Sequence, residues 1–373
     1  MKTQLFSLKT LVLATTVALA TSASLVAQTP ATAEIDRQSA VTQVVGGLHS
    51  PRGLAVDRRG TLYVAEAGDD SAGGAIIAVS GASGNHPRVR TLVSGLPTFG
   101  AAGEFLGMEA IAPLVDGERF GLLAITGPAP QEAMQPFFGS LLYVNPNGTT
   151  QPLVNVGSFN FEWTAAHHDL VPDQFPDSNP YGMVISRGHL YVVDAGANTL
   201  DEVLPNGTIR VLAFFPNTPI SDATPTCVCE GPDGALYVGT LALVDSVLVG
   251  PSAKVFRVNP AQANLAEPWK TPLTVWASGL FPIDGCAFGR DRNFYASQLF
   301  TNPAHDFGAV FGDPHGDVMK IPFNHPSTHT LLTGGALSLA GGVAVDDDGA
   351  VFVSSGTAFV APGTGTVVRI RTH

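Results

Sequence analysis

Short apolar runs of five or six residues, separated by polar turns, recur along this chain in a fixed order. The fullest copies are PRGLAVDRRGTLYVAEAG, Pro51 to Gly68, and NPYGMVISRGHLYVVDAG, Asn179 to Gly196. Weaker copies are TPTCVCEGPDGALYVGT from Thr224, FPIDGCAFGRDRNFYASQ from Phe281 and LAGGVAVDDDGAVFVSSG from Leu339. Each reads as a strand, a Gly or Asp turn and a second strand, the unit that stacks radially in a β-propeller. Tyr63, Tyr191, Tyr237, Tyr295 and Phe352 fall in one column, spaced 58 residues from Tyr237 to Tyr295 and 57 from Tyr295 to Phe352. The gap of 128 between Tyr63 and Tyr191 is about twice that, so a degenerate unit is expected inside it, and Gly107 to Gly127 fits. A further apolar hairpin follows each unit, but the last unit ends after its third strand. Ala40 to Val45, AVTQVV, is placed to supply the fourth. No segment shows a sustained helical period. The expectation is an all-β, six-bladed β-propeller over residues 40–373, one domain closed by pairing of its N-terminal and C-terminal strands, which removes sheet edges that would otherwise aggregate.

This topology sorts the loops. The insertions Pro128 to Gly139, Gly157 to Ser178, Pro216 to Thr224 and Leu299 to Gly316 all fall at one end of the propeller axis, and only short turns such as DRRG, GPDG and DDDG are expected at the other. Loops that grow on one face of a rigid scaffold are where binding sites are built. At that end the second strands finish at Glu66, Thr126, Asp194, Thr240, Gln298 and Ser355, and the first strands begin near Arg52, Glu109, Tyr181, Thr226, Asp284 and Gly341. Arg52, Glu66, Tyr181, Asp194, Thr240 and Gln298 are the expected ligand-binding set. Glu66, Glu109, Asp194 and Asp284 are candidate ligands for a hard cation such as Ca²⁺, which takes oxygens from separated segments; equally, they can satisfy backbone amides and Arg52. The insertion FEWTAAHHDLVPDQFPDSNPYG is expected to overhang the central opening, which makes His167, His168 and Asp169 candidate catalytic or metal-binding groups, against the alternative of solvated loop histidines. His305 and His315 lie in an insertion at the same end. Phe99, Phe105, Phe137, Phe138, Phe161, Trp163, Phe175 and Phe300 would line an apolar cup there, suited to a flat aromatic or otherwise apolar small molecule.

Composition narrows the classes. With 41 Gly, 28 Pro and 13% charged residues, the chain is rich in turns and buried strands, and its net charge of −12 argues against nucleic acid and anionic membranes as partners. Residues 1–33 read as a signal peptide: Lys2 and Lys9 precede LVLATTVALA, with cleavage expected between 27 and 33. An exported protein meets oxidising conditions, and the strand pattern makes a Cys227–Cys286 or a Cys229–Cys286 bridge geometrically possible, or else leaves three buried thiols. The sequons at Asn147 and Asn206 lie in Pro-Asn-Gly turns that want Asn and Gly in any case. No nucleophile elbow, phosphate loop or zincin motif is present.

GLHSPRGLAVDRRGTLYVAEAG, DSNPYGMVISRGHLYVVDAGANTLDEVLPNGTIRVLAFFP, GPDGALYVGTL with PSAKVFRVNP, and WASGLFPIDGCAFGRDRNFYASQ together resemble the ScyD/ScyE family across nearly the whole mature chain, most specifically in DSNPYG and DAGANTL. These are exported, NHL-like six-bladed propellers named for the gene cluster of the pigment scytonemin. The resemblance implies an extracytoplasmic role and, for some members, late oxidative coupling of an aromatic precursor. No catalytic residue carries over from it. Three functions stay open: a secreted monomeric propeller that binds a small aromatic or apolar ligand and assists its conversion, a Ca²⁺-dependent lactonase or esterase, and an extracellular protein-interaction module.

Overall fold

A computed structural model describes residues 34–35 and 40–371, except 102, 117–118, 219, 221 and 303–304. The signal peptide expected over 1–33 lies outside the described residues. Six sheets are arranged as a six-bladed β-propeller, each with four antiparallel strands and numbered here by its blade. The innermost strands are Pro51–Val56, Met108–Asp116, Pro180–Ser186, Pro225–Glu230, Ile283–Phe288 and Val343–Val345. The degenerate unit is blade 2, and its two inner strands, Met108–Asp116 and Arg119–Thr126, pair as a hairpin. Blade 6 takes its outer strand from the other end of the chain: Ala40–Leu48 pairs antiparallel with Gly365–Arg371, from Ala40 opposite Arg371 to Leu48 opposite Gly365. An addition invisible to the repeat is Glu34–Ile35, which lies parallel to Thr330–Leu331 and becomes a fifth strand of blade 5.

The turn aspartate that precedes the tyrosine column in blades 1, 4 and 5 has a physical role. In blade 1, Asp57 accepts the backbone amides of Arg59 and Thr61, both at 2.9 Å, and so shapes the hairpin turn. Its second oxygen accepts the Tyr63 hydroxyl at 3.1 Å. Tyr295 donates to Asp291 in the same way at 2.7 Å, and Tyr237 leans on Asp233. Each ring thus buries its body between blades while its polar tip stays satisfied. At the axis, crowding selects small residues. A Cβ on Gly53 would stand 2.6 Å from the Glu109 carbonyl, on Gly182 2.4 Å from that of Thr226, on Gly285 2.7 Å from that of Gly341, and on Gly342 2.4 Å from that of Arg52. Neighbouring inner strands can approach this closely only where these residues are Gly, with Ala110 and Cys227 in the other two blades.

Two expectations need correction. The insertion before blade 3 is not a loop throughout: Val156–Ala166 is an α-helix, capped by the Asn155 side chain, which accepts the Ser158 amide at 2.6 Å. Nor does the opposite end carry only short turns. Asn259 to Leu273, between the third and fourth strands of blade 4, starts at that end, carries two short 3₁₀ turns and runs along the outer strand of blade 3, where the Thr271 hydroxyl donates to the Leu212 carbonyl at 2.6 Å. One cysteine alternative is realised: Cys227 and Cys286, with Cα atoms 5.7 Å apart, form a disulfide between the inner strands of blades 4 and 5, and Cys229 is a buried free thiol. No helix among the described residues is long and apolar enough to cross a membrane.

Candidate functional site

Arg52, Glu109, Tyr181, Thr226 and Asp284 each stand one residue before the axial Gly, Ala or Cys of their blade, so their side chains gather around the loop-bearing end of the axis, and Gly341 leaves the sixth place empty of a side chain. Arg52 reaches across from blade 1. Its Nη1 donates to the Tyr181 hydroxyl of blade 3 at 3.2 Å, and that hydroxyl donates in turn to Asp284 Oδ1 of blade 5 at 2.6 Å. Arg52 Nε lies 3.6 Å from Glu109 Oε2 of blade 2, while Glu109 Oε1 accepts the Gly107 amide at 2.8 Å. The second guanidinium nitrogen donates at 2.5 Å to the Phe105 carbonyl in Phe99–Leu106, a short hairpin between blades 1 and 2 that sits over this mouth. Thr226 donates to the Ile283 carbonyl at 2.6 Å.

All four charged or phenolic groups are buried, and burial governs their protonation. Removal from water pushes Glu109 up to about 6, against the opposing pull of Arg52. Asp284 is raised for the same reason, with Arg52 and the Tyr181 hydroxyl acting against it, and Tyr181 is raised well above the phenol range. Below the network the channel holds a cavity of about 60 Å³, bounded by Glu109, Tyr181, Thr226, Asp284 and the Cys227–Cys286 pair. That is room for a few waters.

The other expected site residues lie in separate networks. Glu66 accepts the His49 amide at 2.7 Å. Asp194 accepts the amides of Asn179 at 2.6 Å, Ala197 at 2.9 Å and Gly196 at 3.1 Å, together with the Ser178 hydroxyl at 2.7 Å and the Asn160 amide at 2.9 Å. The phrases DSNPYG and DAGANTL are therefore two halves of one hydrogen-bonded joint. The four carboxylates considered for a cation do not come together: Glu109 and Asp284 share Arg52, whereas Glu66 and Asp194 cap loops. Among the described residues, no group of three or more His, Cys, Asp or Glu side chains is disposed to hold a metal ion. Thr240 accepts the Lys254 amide at 3.1 Å, and Gln298 is buried with neither amide atom partnered. His167 stacks on Trp163 with ring centroids 4.3 Å apart and lies 5.4 Å from Trp269, and Trp163 packs on Phe214 of the outer strand of blade 3. That wall is the outer rim of the blade, not the axis, and His168 and Asp169 are exposed beside it.

Of the aromatic residues expected in a cup, Phe105, Phe138, Phe175 and Phe300 are buried, and Phe99, Phe137, Phe161 and Trp163 are partly exposed. Sequence reasoning missed the aromatics that extend this surface. Phe311, in the short helix Phe307–Gly312, packs on Phe300 at 6.5 Å, Phe307 at 6.1 Å and Phe359 at 4.8 Å. Phe359 is 41% exposed, and its amide donates to the Gly103 carbonyl at the tip of the mouth hairpin at 2.7 Å. The signal was available: FGAAGEFL places two glycines between aromatic strands, a hairpin pattern. Also missed was a group of buried acids over blade 3. Asn160 donates to both Asp194 and Asp201, Glu132 and Asp177 share a hydrogen bond, and Asp222 binds Asn198. Burial raises all five carboxyls, Asp222 to about 7.

Neither a protein-family model nor a curated protein matches this chain. Solved structures do. A luciferin-regenerating enzyme is 11% identical, with 90% of this chain and 95% of that one covered and a TM-score of 0.54. A gluconolactonase from Xanthomonas campestris is 12% identical, with 90% of each chain covered and a TM-score of 0.52. A Bacteroides thetaiotaomicron protein of unknown function is 11% identical, with 89% of this chain and 76% of that one covered and a TM-score of 0.55. At these identities the likeness is one of fold: this chain shares the six-bladed propeller architecture with its structural neighbours.

Proposed function

We propose that this chain is an exported propeller of the ScyD/ScyE type that binds a small aromatic or apolar ligand at the loop-bearing mouth of its channel. The observation that carries the reading is the coincidence, at one end of the axis, of a partly exposed aromatic surface around Phe311 and Phe359 with the buried Arg52–Tyr181–Asp284 relay. The aromatic surface supplies stacking and apolar contact. The relay beneath it supplies proton-bearing groups, and Glu109, pushed up to about 6, is poised to exchange a proton near neutrality. That is the group on which an assisted conversion of the ligand would draw. Two structural neighbours are named for small-molecule chemistry, a luciferin-regenerating enzyme and a gluconolactonase, and they support the reading only as precedents of fold. The disulfide between blades 4 and 5 accords with export.

The test is a panel of phenols, indoles and aromatic acids, screened by thermal shift and followed by titration. Binding that is lost in Phe359→Ala and Phe311→Ala supports the reading, and Tyr181→Phe then separates binding from any conversion. A panel without a single binder, with a protein partner captured through the same face, would replace it with the interaction-module reading. A Ca²⁺-dependent hydrolase is less well supported, because a cation between Glu109 and Asp284 would have to displace Arg52, which contacts Glu109 and reaches Asp284 through the Tyr181 hydroxyl.

A further inference from the structure

Six basic side chains of this acidic protein are neutralised one by one. Arg187, Arg210, Arg257, Lys270 and Arg290 each face a carboxylate at the surface, and Arg52 faces Glu109 inside. Arg292 lies over the Phe323 ring, and Arg369 and Arg371 donate to backbone carbonyls. Among the arginines with described side chains, four have neither a carboxylate, a carbonyl nor a ring as partner, and all four lie on blade 1. Arg58 and Arg59 sit in its inner hairpin turn and Arg88 and Arg90 on its outer strand, and no carboxylate among the described residues is in ion-pair contact with any of them. Arg59 and Arg90 also line one cleft of about 190 Å³, which lies between blades 1 and 2 at the end away from the aromatic mouth. Its floor is Tyr63 and Leu122, and its outer wall is the Asn145–Gly148 turn, so close to blade 1 that a Cβ on Gly148 would stand 2.2 Å from the Leu92 carbonyl.

Asp57, the acid nearest these cations, is already engaged: it holds the amides of Arg59 and Thr61 and the Tyr63 hydroxyl. Charges on an outer strand protect a sheet edge, which accounts for Arg88 and Arg90. It does not account for a second arginine, Arg59 of the inner hairpin turn, lining the same cleft. Like charges beside one cleft repel, weakly because both are exposed, and an anion bound in the cleft turns that repulsion into attraction. Guanidinium groups recognise planar and tetrahedral oxyanions through paired N–H donors.

We propose that the cleft between blades 1 and 2 is a binding site for a small oxyanion, a phosphate, sulfate or carboxylate group, held by Arg59 and Arg90. The site is independent of the aromatic mouth and stands whether or not that reading does. The test is calorimetric titration of the intact mature protein with inorganic phosphate, sulfate and citrate, with ionic strength held constant by chloride. The variants are Arg59→Gln, Arg90→Gln and, as a control, Arg187→Gln, all at exposed positions. The expected result is saturable one-to-one binding of at least one anion, weakened tenfold or more by Arg59→Gln and by Arg90→Gln and unchanged by Arg187→Gln. A phosphomonoester that binds more tightly than inorganic phosphate would identify the phosphate of a larger molecule as the occupant, and the reverse order a free anion. Absence of saturable binding for all three anions, or equal weakening in the control, overturns the proposal.

Discussion

Arg52 is the residue on which most of the axial end depends, because it is the only cation in a buried group that also contains Glu109, Tyr181 and Asp284. Removing one partner of a buried pair leaves the other desolvated and uncompensated, at a cost of roughly 3–5 kcal/mol. Arg52→Gln is therefore expected to lower the urea-unfolding free energy by about that much at pH 7. Arg52→Gln with Glu109→Gln should recover part of the loss, and a double variant no better than the single would refute the pairing. Protonation sets a second expectation. Glu109 at about 6, Asp222 at about 7 and the raised Asp194 and Asp201 all bind protons more tightly when folded than when unfolded. A carboxyl with a raised folded value contributes its stability in full below its unfolded value, near 4, and loses it as pH rises through the folded value. Asp69 works the other way: burial opposes it, but hydrogen bonds from Ser71 and His49 hold it at about 2, so its contribution fades only as pH falls from about 4 toward that value. Unfolding midpoints measured from pH 4 to 8 should thus be highest near pH 4 and fall through 5 and 6 toward 7. A flat profile, or one rising toward pH 8, would contradict the burial of these acids.

At the scale of strands and helices, what was legible followed from period. The hairpins are short apolar runs, buried almost throughout, with Gly or Asp turns and an aromatic residue in one column, so the repeat, the degenerate blade 2 and the strand ends at Arg52, Glu109, Tyr181 and Asp284 could all be read by aligning columns. The helix Val156–Ala166 could not. Its buried stripe runs through Val156, Asn160 and Thr164, four residues apart as a helix requires, but two of the three are polar and leave no hydrophobic period. They are polar because Asn160 must reach Asp194 and Asp201, and the Thr164 hydroxyl must donate to the Asn160 carbonyl at 2.8 Å. The cross-axis bonds of Arg52 were hidden for a related reason: they join blades whose spacing along the chain says nothing of which side chains meet. The cysteine pair was narrowed by strand parity to two partners, and packing chose Cys227. That bridge spans 59 residues between neighbouring blades, and its loss in Cys227→Ser is expected to cost about 2–4 kcal/mol. Alkylation of the unreduced, unfolded protein should label one cysteine, Cys229; two or three labelled thiols would exclude the bridge.

For the molecule as a whole, closure rests on the pairing of Ala40–Leu48 with Gly365–Arg371. Removing residues 34–48 strips the outer strand from blade 6 and the added strand from blade 5, and exposes two edges. The truncated protein is expected to aggregate or to elute as multimers in size-exclusion chromatography. A monomer with unchanged midpoint would show that the ring closes without this strand. Its opposite ends serve different chemistry, with aromatics and buried acids at one and an arginine-lined cleft at the other.

The same pairing orders events in time. Ala40 and Arg371 are neighbours in the finished sheet, yet they lie at opposite ends of the propeller's stretch of sequence. Blades 1 to 4 draw every strand from their own stretch of sequence, but blade 6 has no complete sheet until the polypeptide has been released almost to its end. The strand that waits for it must stay unpaired until Gly365–Arg371 has been made. Bringing such distant segments together is the slow step in a fold built mainly from local hairpins, so the ring is expected to lock late, and a chain that stalls before residue 365 has no way to finish it.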